Sequence, residues 1–208
     1  MPIDLDGTQS SRLRLLASAK MLMSRHGYEQ ASTSAIAREA ATSESQLMRY
    51  FGGKAGLLEE VFNLGWKSVN ESIRPAVAAA PTARKAIEGL LAGILAALEA
   101  DPELAFLFLF EGRRLRGPGP QVALSKGFRE FSEVLRQLII RGKAEGEFAG
   151  PVNEVAAASA LEGAAEGMIR DRLIEIRSGR TPPFSDREIR ETIGVILDSI
   201  SVPAARPR

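Results

Sequence analysis

The apolar positions of this chain recur at helical spacing from one end to the other, and no segment alternates apolar and polar residues as a half-buried strand would. Between residues 31 and 58 two short helical patterns follow each other closely, each opened by hydroxyl side chains. In the first, Ser32 or Thr33 can accept from the free N–H groups of the next turn, and Ile36, Ala37 and Ala40 recur at i, i+1 and i+4. The pattern predicts a short helix over Ser34 to Ala40. In the second, Ser43 and Gln46 have the spacing of a capping box, the serine bonding forward to the third amide and the glutamine reaching back, so a new helix starts at Glu44. At roughly 100° per residue, Leu47 and Phe51 fall about 40° apart and face inward. Ser45 and Arg49 take the opposite side, with Gln46 and Met48 flanking that outer edge. Two helices so joined read as a helix-turn-helix whose second member offers Ser, Gln, Met and Arg to base edges in a major groove.

A helix from Ala55 into the seventies follows, with Leu58, Val61, Phe62, Gly65 and Trp66 on one side. Pro75 and the Pro81-Thr82 pair are expected to break it, and Thr82 to cap a helix through Leu98. Asp101-Pro102-Glu103 is another start signal, because proline lacks only an N–H that the first turn could not use. The run Leu104 to Phe110 is apolar all round, as in segments buried on several sides. Gly117-Pro118-Gly119-Pro120 marks a loop, after which Val122, Leu124, Phe128, Phe131, Leu135, Leu138 and Ile139 trace a long helix ending near Gly146. Asn153 can cap the next, which carries Ala156, Ala160, Gly163, Ala164 and Gly167 on one small-residue stripe. Ser185 and Glu188 form a capping box ahead of Ile189, Ile193, Ile196, Leu197 and Ile200. The expectation is an all-α chain of about nine helices.

Residues 31–58 resemble the DNA-binding domain of the TetR family of bacterial transcriptional regulators. The resemblance extends back over the preceding helix, where Leu15-Leu16-Ala17-Ser18-Ala19, Leu22-Met23 and Gly27-Tyr28 match the family's first helix, its glycine stop and the following aromatic. Ile36-Ala37, Ser43, Leu47, Tyr50-Phe51, Lys54 and Leu57 then sit in the family's register. Ala41 stands where a turn glycine is usual, Glu44 where a basic residue is common, Ser45 where glycine is common and Met48 where tyrosine is common. These departures bear on the operator sequence rather than the fold.

The resemblance implies a tail over residues 1–9, a three-helix DNA-binding domain over 10–55, a helical regulatory and dimerisation domain over 56–202, and a second tail over 203–208. It assigns base-edge contacts to Ser45, Gln46 and Arg49, with Met48 as an apolar contact to a thymine methyl, and phosphate contacts to Thr33, Ser43, Tyr50 and Lys54. For Glu44 the reading is helix stabilisation or acceptance from a cytosine amine. It implies a homodimer through the last two helices, addressing a palindromic or pseudo-palindromic double-stranded operator. The implied function is repression relieved by an unidentified small-molecule effector, with Trp66, Phe106 and Phe128 as candidate ligand contacts and the helix after Ala55 as the coupling element.

Composition sharpens this by exclusion. The chain has 208 residues, 45% of them hydrophobic and 25% charged, within the range of folded globular domains. With no cysteine and a single histidine, thiol chemistry and multi-histidine metal sites are excluded, and neither cofactor nor metal is expected. His26, one residue before Gly27, suits the carbonyls at a helix end. No catalytic constellation is recognisable, so a helical enzyme or a protein-interaction module on a helix-turn-helix scaffold are the alternatives to DNA reading. Residues 1–9 lack the basic and apolar regions of a secretory signal and no long apolar run follows, so a cytoplasmic protein without membrane contact is expected. Gly163-x-x-x-Gly167 matches a membrane-helix motif, but Glu162, Glu166 and Arg170 rule out a lipid setting. The net charge is only +1, yet residues 10–58 hold seven Lys and Arg against three Glu. The cationic excess therefore sits in the presumed reading domain.

Overall fold

The computed structural model describes residues 5–112, 125–149, 151 and 153–202. Among them are nine α-helices: α1 (Leu5–His26), α2 (Thr33–Glu39), α3 (Glu44–Phe51), α4 (Lys54–Ala79), α5 (Ala83–Ala100), α6 (Pro102–Phe106), α7 (Lys126–Ala144), α8 (Glu154–Arg177) and α9 (Asp186–Ile200). α6 runs on into a π-helical turn, Leu107–Glu111. The β pairing among the described residues is one isolated antiparallel bridge between Phe148 and Ser201. The all-α class follows the apolar pattern.

Most helix starts are those the side chains announce. Thr82 Oγ1 accepts from the Lys85 amide at 3.1 Å, Asp101 Oδ1 from Leu104 at 3.0 Å, and Asn153 Oδ1 from Val155 and Ala156 at 3.0 and 2.9 Å. At α9 the box is reciprocal, with Glu188 N–H to Ser185 Oγ at 3.3 Å and Ser185 N–H to the Glu188 carboxylate at 2.7 Å. Each cap satisfies donors that the helix itself leaves open, contributing about 1 kcal/mol.

Two boundaries differ from the sequence reading. α1 starts at Leu5, inside the stretch read as an N-terminal tail. Once nucleated, a helix gains one hydrogen bond per added residue, and the only upstream proline is Pro2. Pro75 lies within α4 rather than ending it. It is exposed and near the helix end, so water can serve the carbonyl it leaves open, while Ile73, two residues earlier and on another face, is buried against the bare backbone of Gly93. The expected loop at Gly117-Pro118-Gly119-Pro120, the helical positions Val122 and Leu124, and the tail 203–208 lie outside the described residues.

The chain divides into two compact units. The first takes α1, α2, α3, α4 as far as Lys67, and α6 with its π-helical turn; the second takes α4 from Ser68, α5 to Glu99, α7 from Phe128, α8 and α9. In the first, Leu15, Ala19 and Met23 of α1, Ile36 of α2, Leu47 of α3, and Leu57 and Leu58 of α4 are all essentially inaccessible. α1 packs against α2, α3 and α6, and Lys20 Nζ reaches Asp101, the cap of α6, at 2.6 Å. The second unit buries Ile87, Leu91 and Leu95 of α5, Leu135 and Ile139 of α7, and Ile189, Ile193 and Leu197 of α9. There α8 and α9 lie side by side, joined by an Arg172–Asp186 ion pair. No helix among the described residues is long and apolar enough to cross a membrane.

Candidate nucleic-acid interface

The short helix α3 is set by its two ends and one anchor. Ser43, in an extended conformation, accepts from the Gln46 amide at 3.2 Å to start it. Gly52, at φ 69, ends it in a left-handed turn that only glycine adopts without cost, its N–H bonding to Met48 at 2.8 Å. A Cβ on Gly56 would stand 2.0 Å from the Phe51 carbonyl oxygen, so the first turn of α4 can lie this close to the end of α3 only with glycine there. Between these ends Leu47 is wholly buried, a contribution of about 2 kcal/mol. Ser43, Glu44, Ser45, Met48 and Arg49 are exposed, while Gln46, Tyr50 and Phe51 are half-buried. Met48, an apolar side chain at 50% exposure, has no packing reason to be outside.

Several of the polar candidates are already held by protein. At α2 it is Ser32 that caps, accepting from Ala35 N–H at 3.1 Å, which leaves Thr33 free to donate its hydroxyl to the Glu44 carboxylate. That bond ties the starts of α2 and α3 and gives Glu44 its structural role. The capping box read at Ser43 and Gln46 is only half made: Gln46 does not return to the cap, because its Oε1 accepts from the Thr42 hydroxyl one turn earlier. With Oε1 engaged, the side-chain amide offers its N–H donors outward, which suits acceptors such as guanine O6 or N7 rather than the donor-plus-acceptor edge of adenine. Lys54 Nζ donates to the carbonyls of Tyr28 and Glu29 at 2.9 and 3.2 Å and stands 4.4 Å from the Tyr28 ring centroid. Arg49 donates from Nη2 to Tyr50 Oη at 3.1 Å, its guanidinium 5.0 Å from that ring.

The charge excess resolves in the same way. Arg12 pairs with Glu60, Lys20 with Asp101, and Arg14 and Lys54 bond to backbone carbonyls. Arg25, Arg38 and Arg49 remain exposed with no carboxylate partner among the described residues. His26 ends α1 as expected, just ahead of Gly27 at φ 81.

The ligand candidates fall in both units: Trp66 and Phe106 in the first, Phe128 in the second. Trp66 is buried and stacked on Phe108, with centroids 4.5 Å apart and planes 9° from parallel. Phe106, half-buried, stacks on Phe110 at 4.7 Å. Phe128 is half-buried on α7. Phe108, which also meets Phe62 at 5.8 Å, is the central ring of its cluster and was not singled out from the sequence. It lies in a run that is apolar all round, where periodicity assigns no face. Among the described residues no group of His, Asp or Glu could hold a metal ion.

Comparison with known proteins places this arrangement. Residues 15–61 match the family described as bacterial regulatory proteins, tetR family. Over 158 residues the chain is 30% identical to the nucleoid occlusion factor SlmA of Aliivibrio fischeri, covering 74% of this chain and 78% of that protein. The chain belongs to the TetR family. It is a DNA-binding transcriptional regulator, as the family's members are. The likeness in fold reaches well beyond residues 15–61: the fatty acid degradation regulator FadR of Bacillus halodurans superposes with a TM-score of 0.75 at 18% identity, covering 95% of this chain and 97% of that one. FadR of Bacillus subtilis, solved in complex with stearoyl-CoA, superposes with a TM-score of 0.73 at 16% identity, covering 89% and 95%.

Proposed function

We propose that this TetR-family protein is a homodimeric repressor that leaves its operator when a small-molecule effector binds. The observation that carries the DNA-reading part is α3: one wholly buried leucine anchors a helix whose opposite side exposes Ser45, Met48 and Arg49. Its one acid, Glu44, is bound to Thr33. Ser45, Gln46, Met48 and Arg49 read base edges, while Thr33, Ser43, Tyr50 and Lys54 contact phosphates. Residues 10–55 act as the reading domain and 56–202 as the regulatory and dimerisation domain.

The dimer forms through α8 and α9, where the small-residue stripe of Ala156, Ala160 and Gly163 is exposed and Val155 and Val195 are 60% and 67% accessible. A two-fold dimer addresses half-sites about 34 to 36 Å apart, or a multiple of that. The effector carries an apolar part, in keeping with the aromatic candidates Trp66, Phe106 and Phe128 and with the acyl chain of the stearoyl-CoA named for the Bacillus subtilis fold relative. It acts by preferring the conformation that holds the reading heads at the wrong spacing, which shifts the population away from DNA. The site of action is the cytoplasm.

The test is genomic pull-down with purified protein, followed by band shifts of the recovered fragments against specific and random competitor duplex. Recovery of a few palindromic fragments upstream of genes, competed only by specific duplex, is the expected result. No retained fragment would overturn DNA reading altogether. Many sites scattered along the chromosome would favour a second role, the nucleoid occlusion named for the Aliivibrio fischeri relative.

A further inference from the structure

Arg49 has the freedom to extend into solvent, and it does not use it. Successive helix residues point about 100° apart, so Arg49 meets Tyr50 only by folding back across the helix surface. There its Nη2 donates to Tyr50 Oη at 3.1 Å and the guanidinium lies 5.0 Å from the ring centroid, within cation–π range. The ring it rests on is held in turn. Tyr50 meets Phe51 edge-on, with centroids 6.1 Å apart and planes at 76°. The Arg12 guanidinium lies 5.4 Å from the Phe51 ring centroid and pairs with Glu60 of α4. A line of contacts thus runs from α4 through Arg12, Phe51 and Tyr50 to the most outward cation of the recognition helix.

We infer that Tyr50 is the positioning residue for Arg49, so that the pair, rather than Arg49 alone, determines specificity for a guanine. The inference rests on α3 being the recognition helix. A long side chain that samples many rotamers loses that freedom at each binding event, whereas one already stacked and hydrogen-bonded loses less. Tyr50 engages only one of the five guanidinium N–H donors, so two donors on one edge stay available for the O6 and N7 of guanine. The Tyr50 hydroxyl, accepting from Arg49, keeps its own proton to donate to a phosphate oxygen. Phosphate contact then fixes the ring, and the ring fixes the fork, so backbone register and base reading are coupled through one side chain.

The experiment is selection of the full-length protein, Arg49→Ala, Tyr50→Phe and the double variant on a duplex library with a randomised core. Binding is then titrated on the selected duplex, on that duplex with single base-pair changes, and on random-sequence duplex. Phenylalanine keeps the ring and removes the hydroxyl, which is both the acceptor for Arg49 and the donor to phosphate. Tyr50→Phe should weaken binding to random duplex by the one lost phosphate contact, and binding to the selected duplex by about 3- to 10-fold more than that, a loss of discrimination at the G·C pair read by Arg49 worth one hydrogen bond. In the Arg49→Ala background it should cause no further loss of discrimination. Equal losses on selected and random duplex, or losses that multiply in the double variant, would overturn the positioning role and leave Tyr50 as a phosphate contact. If Arg49→Ala selects the same sequence as wild type, the recognition-helix reading itself fails, an outcome seen without any change at Tyr50.

Discussion

Ala41 holds a backbone conformation that its side chain resists. It is the one non-glycine residue with positive φ among the described residues, at 48°. The cause is the way α2 ends: the Thr42 amide bonds to the Ala37 carbonyl at 3.0 Å and the Ala41 amide to Arg38 at 3.1 Å, the two bonds of a Schellman motif whose left-handed position is normally glycine. The departure from the family's turn glycine therefore has a cost, about 1 to 2 kcal/mol for a left-handed alanine. Ala41→Gly should stabilise the protein by about 0.5 to 1 kcal/mol, the strain relieved less the extra freedom glycine gains when unfolded. Thermal melts would show the midpoint rising by about 1 to 4 °C, and a fall would mean the turn is not strained. Lys54 makes a second case. Its ammonium closes onto the carbonyls of Tyr28 and Glu29, so Lys54→Ala should cost about 1 kcal/mol of stability whatever it does to DNA. If Lys54 also meets a phosphate, binding to all duplexes weakens and the salt slope drops by about one. An unchanged slope with lowered stability would restrict it to the structural role.

At the scale of elements, the start of α5 depends on a residue far away in sequence. The Glu147 carboxylate accepts from the amides of Ala83 and Arg84 at 2.8 and 3.1 Å, a charged cap alongside the local one from Thr82. Partial burial pushes this carboxyl up, but the two amides pull it down further, and its pKa ends below the usual 4.5. A carboxyl whose folded pKa is depressed contributes stability that is complete above its unfolded pKa and is lost as pH falls through the folded one. Glu147→Gln should therefore lower stability at pH 7 by about 1 kcal/mol, or about 2 to 4 °C in Tm. The gap between variant and wild type should close as melts are repeated below pH 4.5. A gap that persists in acid would assign the effect to packing rather than charge. The π-helical turn after α6 is an element of another kind. It ends at Glu111, 2% exposed, whose carboxylate accepts from the Tyr28 amide at 3.4 Å.

For the whole molecule the decisive property is self-association. A Cβ on Gly163 or Gly167 would meet nothing within 4 Å, so the chain itself tolerates a larger side chain at either position. Gly163→Leu should leave helicity and thermal stability at or above wild type, since leucine favours a helix over glycine by about 1 kcal/mol. If the stripe packs against its two-fold mate, the same change should weaken dimerisation at least tenfold in sedimentation and reduce operator binding with it. An unchanged dimer would move the interface elsewhere on α8 and α9.

The sequence by itself determined the helices, because caps and periodicity are local: Thr82, Asp101, Asn153 and the Ser185–Glu188 box act within one turn of their own position. For the same reason it located α3, its inward Leu47 and its outward Arg49. Side-chain competition was beyond its reach. Gln46 has two possible partners within a turn, and only the folded geometry selects Thr42 over the cap. The tertiary structure alone decided that Thr33 spends its hydroxyl on Glu44, that Lys54 closes onto the turn after α1 at Tyr28, and that Trp66 stacks on Phe108. Those contacts join residues from separate elements, and a one-dimensional pattern carries the direction in which a residue faces but not the atom waiting there.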